Sequence, residues 1–235
     1  MEREDQDLDW TEKPFSESFT DLVALGQLAQ GQVTKIQKNA ALKGMHERCV
    51  ACLEALCNGL LSHLPTSFYP DELKTCMVRK LGILEKFSLL SKLRAKTIPS
   101  DFSKSIDFLI NGRNEKIAHP KVKKYPYQIL SEDENLVVFD CKKGKTEELD
   151  PAEIIKNLIQ IIDRFLLEIH QIPEDQLKQF ILDSAILPGG GVGVFVNMDL
   201  FEVYSILNKE FKLKPRFLRF LESLPSKMQT VPNII

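Results

Sequence analysis

No apolar run in this 235-residue chain approaches the roughly 18 residues that a membrane-spanning helix needs, so no membrane partner is expected. The first residues, MEREDQDLDWTEK, are acidic and lack the apolar segment of a secretory signal, which makes a cytoplasmic location the expectation. An excess of one charge is missing too. The formal balance is -2, which argues against polyanion binding over the whole surface but leaves room for a local basic patch. Cysteine is scarce and odd in number, with five (Cys49, Cys52, Cys57, Cys76 and Cys141), and in a chain of this length that argues against a disulfide scaffold.

CVAC at 49–52 has metal-ligand spacing, but no second such pair follows. Helical spacing stacks His46, Cys49 and Cys52 on one apolar face, so small buried thiols are expected, with a structural zinc site as the alternative. GGGVG at 189–193 lacks the Walker spacing and its Gly-Lys-Ser/Thr, and no clear strand enters it as a dinucleotide fingerprint requires. A flexible hinge is the expectation there, and no cofactor or metal is implied. Repeats and low-complexity tracts are also missing.

What is present is helical periodicity. The acidic residues 1–16 read as a flexible arm. A helix is expected from near Phe19 through DLVALGQLAQGQVTKI, weakened by Gly26 and Gly31. In the next segment Leu42, Met45, Cys49, Leu53, Leu56, Leu60 and Leu64 recur at three and four and form one stripe, which Pro65 ends. A third helix is expected from about Pro70 to Leu93, with Leu73, Met77, Leu81, Leu84, Phe87 and Leu90 inward. Ser100 is read as the N-cap of a fourth, which buries Phe102, Ile106, Leu109 and Ile110.

Past Pro120 the pattern changes to PYQIL and LVVFD around a polar turn, which reads as a short β-hairpin over 126–140. DPAE at 150–153 starts a helix, with Asp150 as cap and Pro151 at the first helical position. That helix is apolar on more than one side and is expected to be central. Beyond Pro173 a short helix over 174–186, a second capping box at 199–202 and a last short helix after Pro215 are expected. The fold class is therefore mainly all-α. It comprises an arm over 1–16, a helical bundle over 17–172 with a short β-hairpin insertion, and a small helical C-terminal region over 173–235, either separate or packed on the bundle.

Two clusters invite a functional reading. In the tail LNKEFKLKPRFLRFLE, five bases interleave with Phe211, Phe217 and Phe220, which suits a nucleic-acid or partner surface. The helical spacing of those rings favours core phenylalanines under a solvated basic face. The second cluster is NGRNEKIAHP at 111–120, with Lys116 inside it and Lys121, Lys123 and Lys124 after it. RNA cleavage needs a positive phosphate site, an acid–base group near neutral pKa and positioning of the 2′-hydroxyl. His119 supplies the second, Arg113 supplies phosphate contacts and charge stabilisation, and Asn114 can orient either. Six residues at about 100° each place Arg113 and His119 on largely opposite sides of an unbroken helix. A bend near Gly112 or Pro120, or a two-fold dimer, would bring such groups together. A cap or a salt-bridge pair is the alternative for both residues.

The arginine, the polar residue after it and a histidine following four to six intervening positions resemble the motif of the HEPN superfamily. These are all-helical nucleotide-binding and ribonuclease domains of prokaryotic defence and toxin systems and of some eukaryotic proteins. Here the motif is Arg113, Asn114 and His119 with five residues between arginine and histidine, followed by Pro120, and the resemblance covers roughly residues 19–170. It implies a homodimer with a composite, metal-independent endoribonuclease site, in which His119 is the acid–base group, Arg113 stabilises the phosphorane-like state and Asn114 positions the site. It also implies an RNA substrate and a protein partner such as an antitoxin. Inactive members of the superfamily serve as dimerisation or binding modules, and that is the alternative for this chain.

Overall fold

A computed structural model describes residues 9–11, 14–114, 127–133, 136–141, 150–173, 176–177, 181, 183–186, 192–195 and 198–223. The element order is β1 (Asp9–Thr11), α1 (Pro14–Gln30), α2 (Lys35–Ser62), α3 (Asp71–Lys80), α4 (Ile83–Lys92), α5 (Ser100–Arg113), β2 (Tyr127–Asp133), β3 (Leu136–Cys141) and α6 (Pro151–Asp163). A π-helical segment, Arg164–Ile169, continues α6. Then come β4 (Asp183–Ile186), β5 (Val192–Phe195), α7 (Met198–Lys209) and a 3₁₀ helix, Arg216–Ser223.

α1 and α2 form a long antiparallel pair. The chain turns after Gly31, and Thr34 opens α2 with a reciprocal cap: its hydroxyl accepts from Gln37 N at 3.3 Å, and Gln37 Oε1 accepts from Thr34 N at 2.9 Å. The stripe read along α2 is buried, with Leu42, Met45, Cys49, Leu53, Leu56 and Leu60 all in the core. α6 starts as its sequence dictates, with Asp150 Oδ1 accepting from Ala152 N at 3.0 Å and Pro151 in the first turn. Its Ile154, Ile155, Leu158, Ile159, Ile161 and Ile162 are all buried. The apolar breadth of this helix is thus used within one chain, between α1, α2 and α5.

Several expectations are corrected. The helix expected over Pro70 to Leu93 is two helices. The chain breaks at Leu81–Gly82, where Glu85 Oε2 accepts the Gly82 N–H at 2.7 Å and restarts the helix as α4. α3 buries none of its residues, and Leu73 is 46% exposed. Ser100 is the first residue of α5 rather than its cap, which is Pro99. The arm is shorter than expected, because α1 starts at Pro14 and Phe15 and Ser16 are buried.

The fold class also changes. β1, β4 and β5 form a three-stranded antiparallel sheet in the order β1-β4-β5, with Trp10 opposite Ala185 and Ala185 opposite Gly193. β2 pairs with β3 from Tyr127↔Cys141 to Asp133↔Leu136, with an irregularity between Ile129 and Ser131. A helical bundle with one hairpin and a helical C-terminal region is therefore not the architecture. Residues 183–186, expected to end a helix, form a strand, because their backbone groups pair on one side with the N-terminal segment and on the other with β5. Of GGGVG, Val192 and Gly193 are placed in a strand, β5, while residues 187–191 fall outside the described residues.

The C-terminal region packs on the bundle. Phe217 meets Phe19 edge-on at 5.5 Å and Phe15 at 5.9 Å between ring centroids. Asp163, where α6 passes into the π segment, accepts from the backbone N–H of Arg216 at 3.0 Å and of Phe217 at 2.8 Å. This carboxylate caps the 3₁₀ helix and ties it to α6. Gly26 has a packing role: a Cβ there would lie 2.7 Å from Ile155 Cδ1 and 3.1 Å from Phe211 Cζ. Any side chain there would force Ile155 or Phe211 to shift, so the glycine eases the approach of α1 to α6 and to the end of α7.

Candidate functional site

α5 delivers the arginine of the motif. Phe102, Ile106 and Leu109 bury one face, while Lys104, Phe108 and Asn111 lie on the exposed side. At the last turn the helix crosses α2 so closely that a Cβ on Gly112 would lie 2.6 Å from both Cε1 and Nδ1 of the buried His46. α5 runs through Gly112 to Arg113 without a break, so this glycine is a contact point and not the bend that the sequence suggested. Arg113 and Asn114 are each half-buried, and the Asn114 N–H reaches the carbonyls of Ile110 and Asn111. Arg113 thus ends α5 and Asn114 is its C-cap. Lys116, His119, Lys121, Lys123 and Lys124 lie outside the described residues.

The Gly112 contact predicts a measurable cost. Ala at this position clashes with the imidazole, which should cost about 1–3 kcal/mol, against a gain of about 1 kcal/mol in helix propensity. Gly112→Ala should therefore destabilise by about 1 kcal/mol in urea unfolding. Gly59→Ala is the control, because no atom lies within 4 Å of its added Cβ, and it should stabilise the protein. Equal gains from the two substitutions would show that α5 and α2 are not in tight contact beside Arg113.

A polar groove of about 400 Å³ lies at the other end of α5, lined by Ser105, Asn157, Gln160, Arg164, Glu168 and Arg216 among others. Arg164 spans it, with its guanidinium fork on Asp101 (2.6 and 3.5 Å) and its charge 5.8 Å above the Phe102 ring. This hydrogen bond holds the Asp101 carboxyl below its ordinary value. Arg216 pairs with Glu168 at 3.1 Å. Burial pushes Asp163 up, although the two amides it accepts from and the Arg216 charge oppose the shift. Both arginines are paired with carboxylates, and among the described residues no nucleophile–base pair lies in the groove, so it reads as a hydrogen-bonding surface. Ser105 is about 12 Å along the helix axis from Arg113. No local pattern announces this groove, because its lining residues span positions 102 to 216 and the π turn that aligns Arg164 and Glu168 has no local signature.

The basic tail is no stacking platform. Phe211, Phe217 and Phe220 are buried, while Lys209, Lys212, Lys214, Arg216 and Arg219 face solvent. Base stacking requires exposed ring faces, so the fold supports the expectation of core phenylalanines under a solvated basic face. The thiols of Cys49, Cys52 and Cys57 are free and buried, and burial pushes all three up, which keeps them protonated. Among the described residues no group of three or more His, Cys, Asp or Glu is placed to hold a metal ion, and no helix is long and apolar enough to cross a membrane. Comparison with family models, with curated proteins and with solved structures gave no match.

Proposed function

We propose that this chain is a metal-independent endoribonuclease that acts as a homodimer, with Arg113, Asn114 and His119 contributed to a composite site. The observation that carries the reading is the placement of Arg113 and Asn114, half-exposed at the end of a helix locked against the bundle at Gly112. Preorganised charge of this kind stabilises a developing phosphorane without reorganisation. His119 follows within a few residues and serves as the acid–base group, while Lys116, Lys121, Lys123 and Lys124 attract the RNA backbone. Phe108, 46% exposed on α5, is an apolar contact for a second copy near Arg113. An antitoxin-like protein is a partner consistent with this chemistry, and a reducing cytoplasm is a setting in which the free thiols persist.

The test incubates the purified chain with mixed RNAs in EDTA, beside His119→Ala and Arg113→Ala. Loss of the acid–base group should lower the rate by at least about 10²-fold. Equal cleavage by wild type and variants would identify a contaminant. Intact RNA in every reaction would leave a binding or dimerisation module in place of the enzyme.

A further inference from the structure

The groove between the end of α4 and the start of α5 holds about 450 Å³ and carries positive charge. Lys92 and Lys96 line it, together with the hydroxyls of Ser88, Thr97 and Ser103. Neither lysine is ion-paired with another described residue. Glu85, the carboxylate at the groove, is engaged by the Gly82 amide at 2.7 Å. Backbone hydrogen bonds set where the two lysines leave the chain. Lys96 N–H donates to Ser91 O at 3.0 Å and Ala95 N–H to Lys92 O at 2.9 Å, which closes α4 with a reversed turn. Ala95 adopts φ 53 to make that turn, a left-handed conformation uncommon for residues other than glycine.

We propose that this groove is a phosphodiester subsite for single-stranded RNA, which rests on the nuclease reading for the identity of the polymer. Two ammonium groups act as point charges for phosphate oxygens, and three hydroxyls supply hydrogen-bond donors. Leu84 and Ile98 offer apolar contact to the sugars. Among the described residues no aromatic ring lines the groove, so the subsite reads the backbone and not the base. Ser103 lies about 15 Å along α5 from Arg113, so a strand laid along this helix engages both ends.

The experiment measures binding of a short fluorescein-labelled single-stranded RNA to full-length His119→Ala protein in EDTA, over a salt series. Each single-strand phosphate contact contributes about 0.7 to the slope of log affinity against log salt. Lys92→Gln/Lys96→Gln should lower that slope by about 1.4 and weaken low-salt binding by about tenfold. Lys43→Gln/Lys214→Gln, which makes the same change in net charge elsewhere, should leave the slope unchanged. Both lysines of the groove are exposed, so the melting temperature should not move. A slope and affinity equal to those of the control pair, or no RNA binding by the parent protein, overturns the subsite. If wild type binds with the larger slope yet leaves RNA intact, the subsite stands and the nuclease reading falls. If it cleaves RNA while the Lys92/Lys96 variant binds like the parent, the reverse holds.

Discussion

Phe165→Ala should remove about 3–5 kcal/mol of stability, the range for deleting a large buried ring. Phe165 is fully buried at the start of the π segment and touches three other rings. It meets Phe87 of α4 edge-on at 4.4 Å and stacks on Phe102 of α5 at 6.1 Å and on His170 at 5.8 Å. Each well-placed aromatic pair adds about 0.5–1.5 kcal/mol beyond burial. His170 belongs to this cluster as a neutral ring, since burial and the charge of Arg94 bring its pKa down to about 4. Truncation would leave a cavity where α4, α5 and the end of α6 converge. Because whole-domain stability is about 5–15 kcal/mol, a loss of this size is a large share of the total. The urea midpoint should drop with an unchanged m-value, and Phe165→Leu should lose less than half as much. A loss under about 1 kcal/mol for the alanine variant would show that the cluster is not the anchor of these helices.

Lys86 gives the second large effect. Its side chain is completely buried on α4, and its ammonium reaches Glu54 of α2 at 3.1 Å, while Glu54 itself is half-exposed. Removing the carboxylate leaves a buried cation without its partner, which costs about 3–5 kcal/mol for fully buried pairs. Water around Glu54 reduces this, so Glu54→Ala should lose about 2 kcal/mol. Lys86→Met removes the charge together with its desolvation penalty and should change stability by less than about 1 kcal/mol. In the Lys86→Met background, Glu54→Ala should then be nearly neutral, which gives a coupling of at least about 1 kcal/mol in a double-mutant cycle. If both single variants lose the same amount, the ammonium carries no unbalanced burial cost and this account of the α2–α4 contact fails.

Features encoded within one or two turns were legible without the fold. The apolar stripe from Leu42 to Leu60 and the Asp150–Pro151 start of α6 are read from spacing and capping, because each depends on residues close in sequence. The spacing of Phe211, Phe217 and Phe220 likewise favoured the burial that the fold shows. The Thr34–Gln37 box that opens α2 is equally local. In the candidate site, the order of Arg113, Asn114 and His119 was legible, as was the helix that presents the first two. The role of Gly112 was not, because a glycine reads as a weak point until His46 of another helix is set against it.

Tertiary structure decided the rest. Gly26 looks like a local defect in α1 and is in fact the point at which Ile155 and Phe211 close on that helix. Lys86 is buried only because α4 packs on α2, which places Glu54 beside its ammonium. The pairing of Asp9–Thr11 with Asp183–Ile186 joins short segments from near opposite ends of the chain. No periodicity within three or four residues announces a partner so distant. Its register is set when the bundle brings the two backbones within hydrogen-bonding reach, where unpaired N–H and C=O groups would otherwise be left.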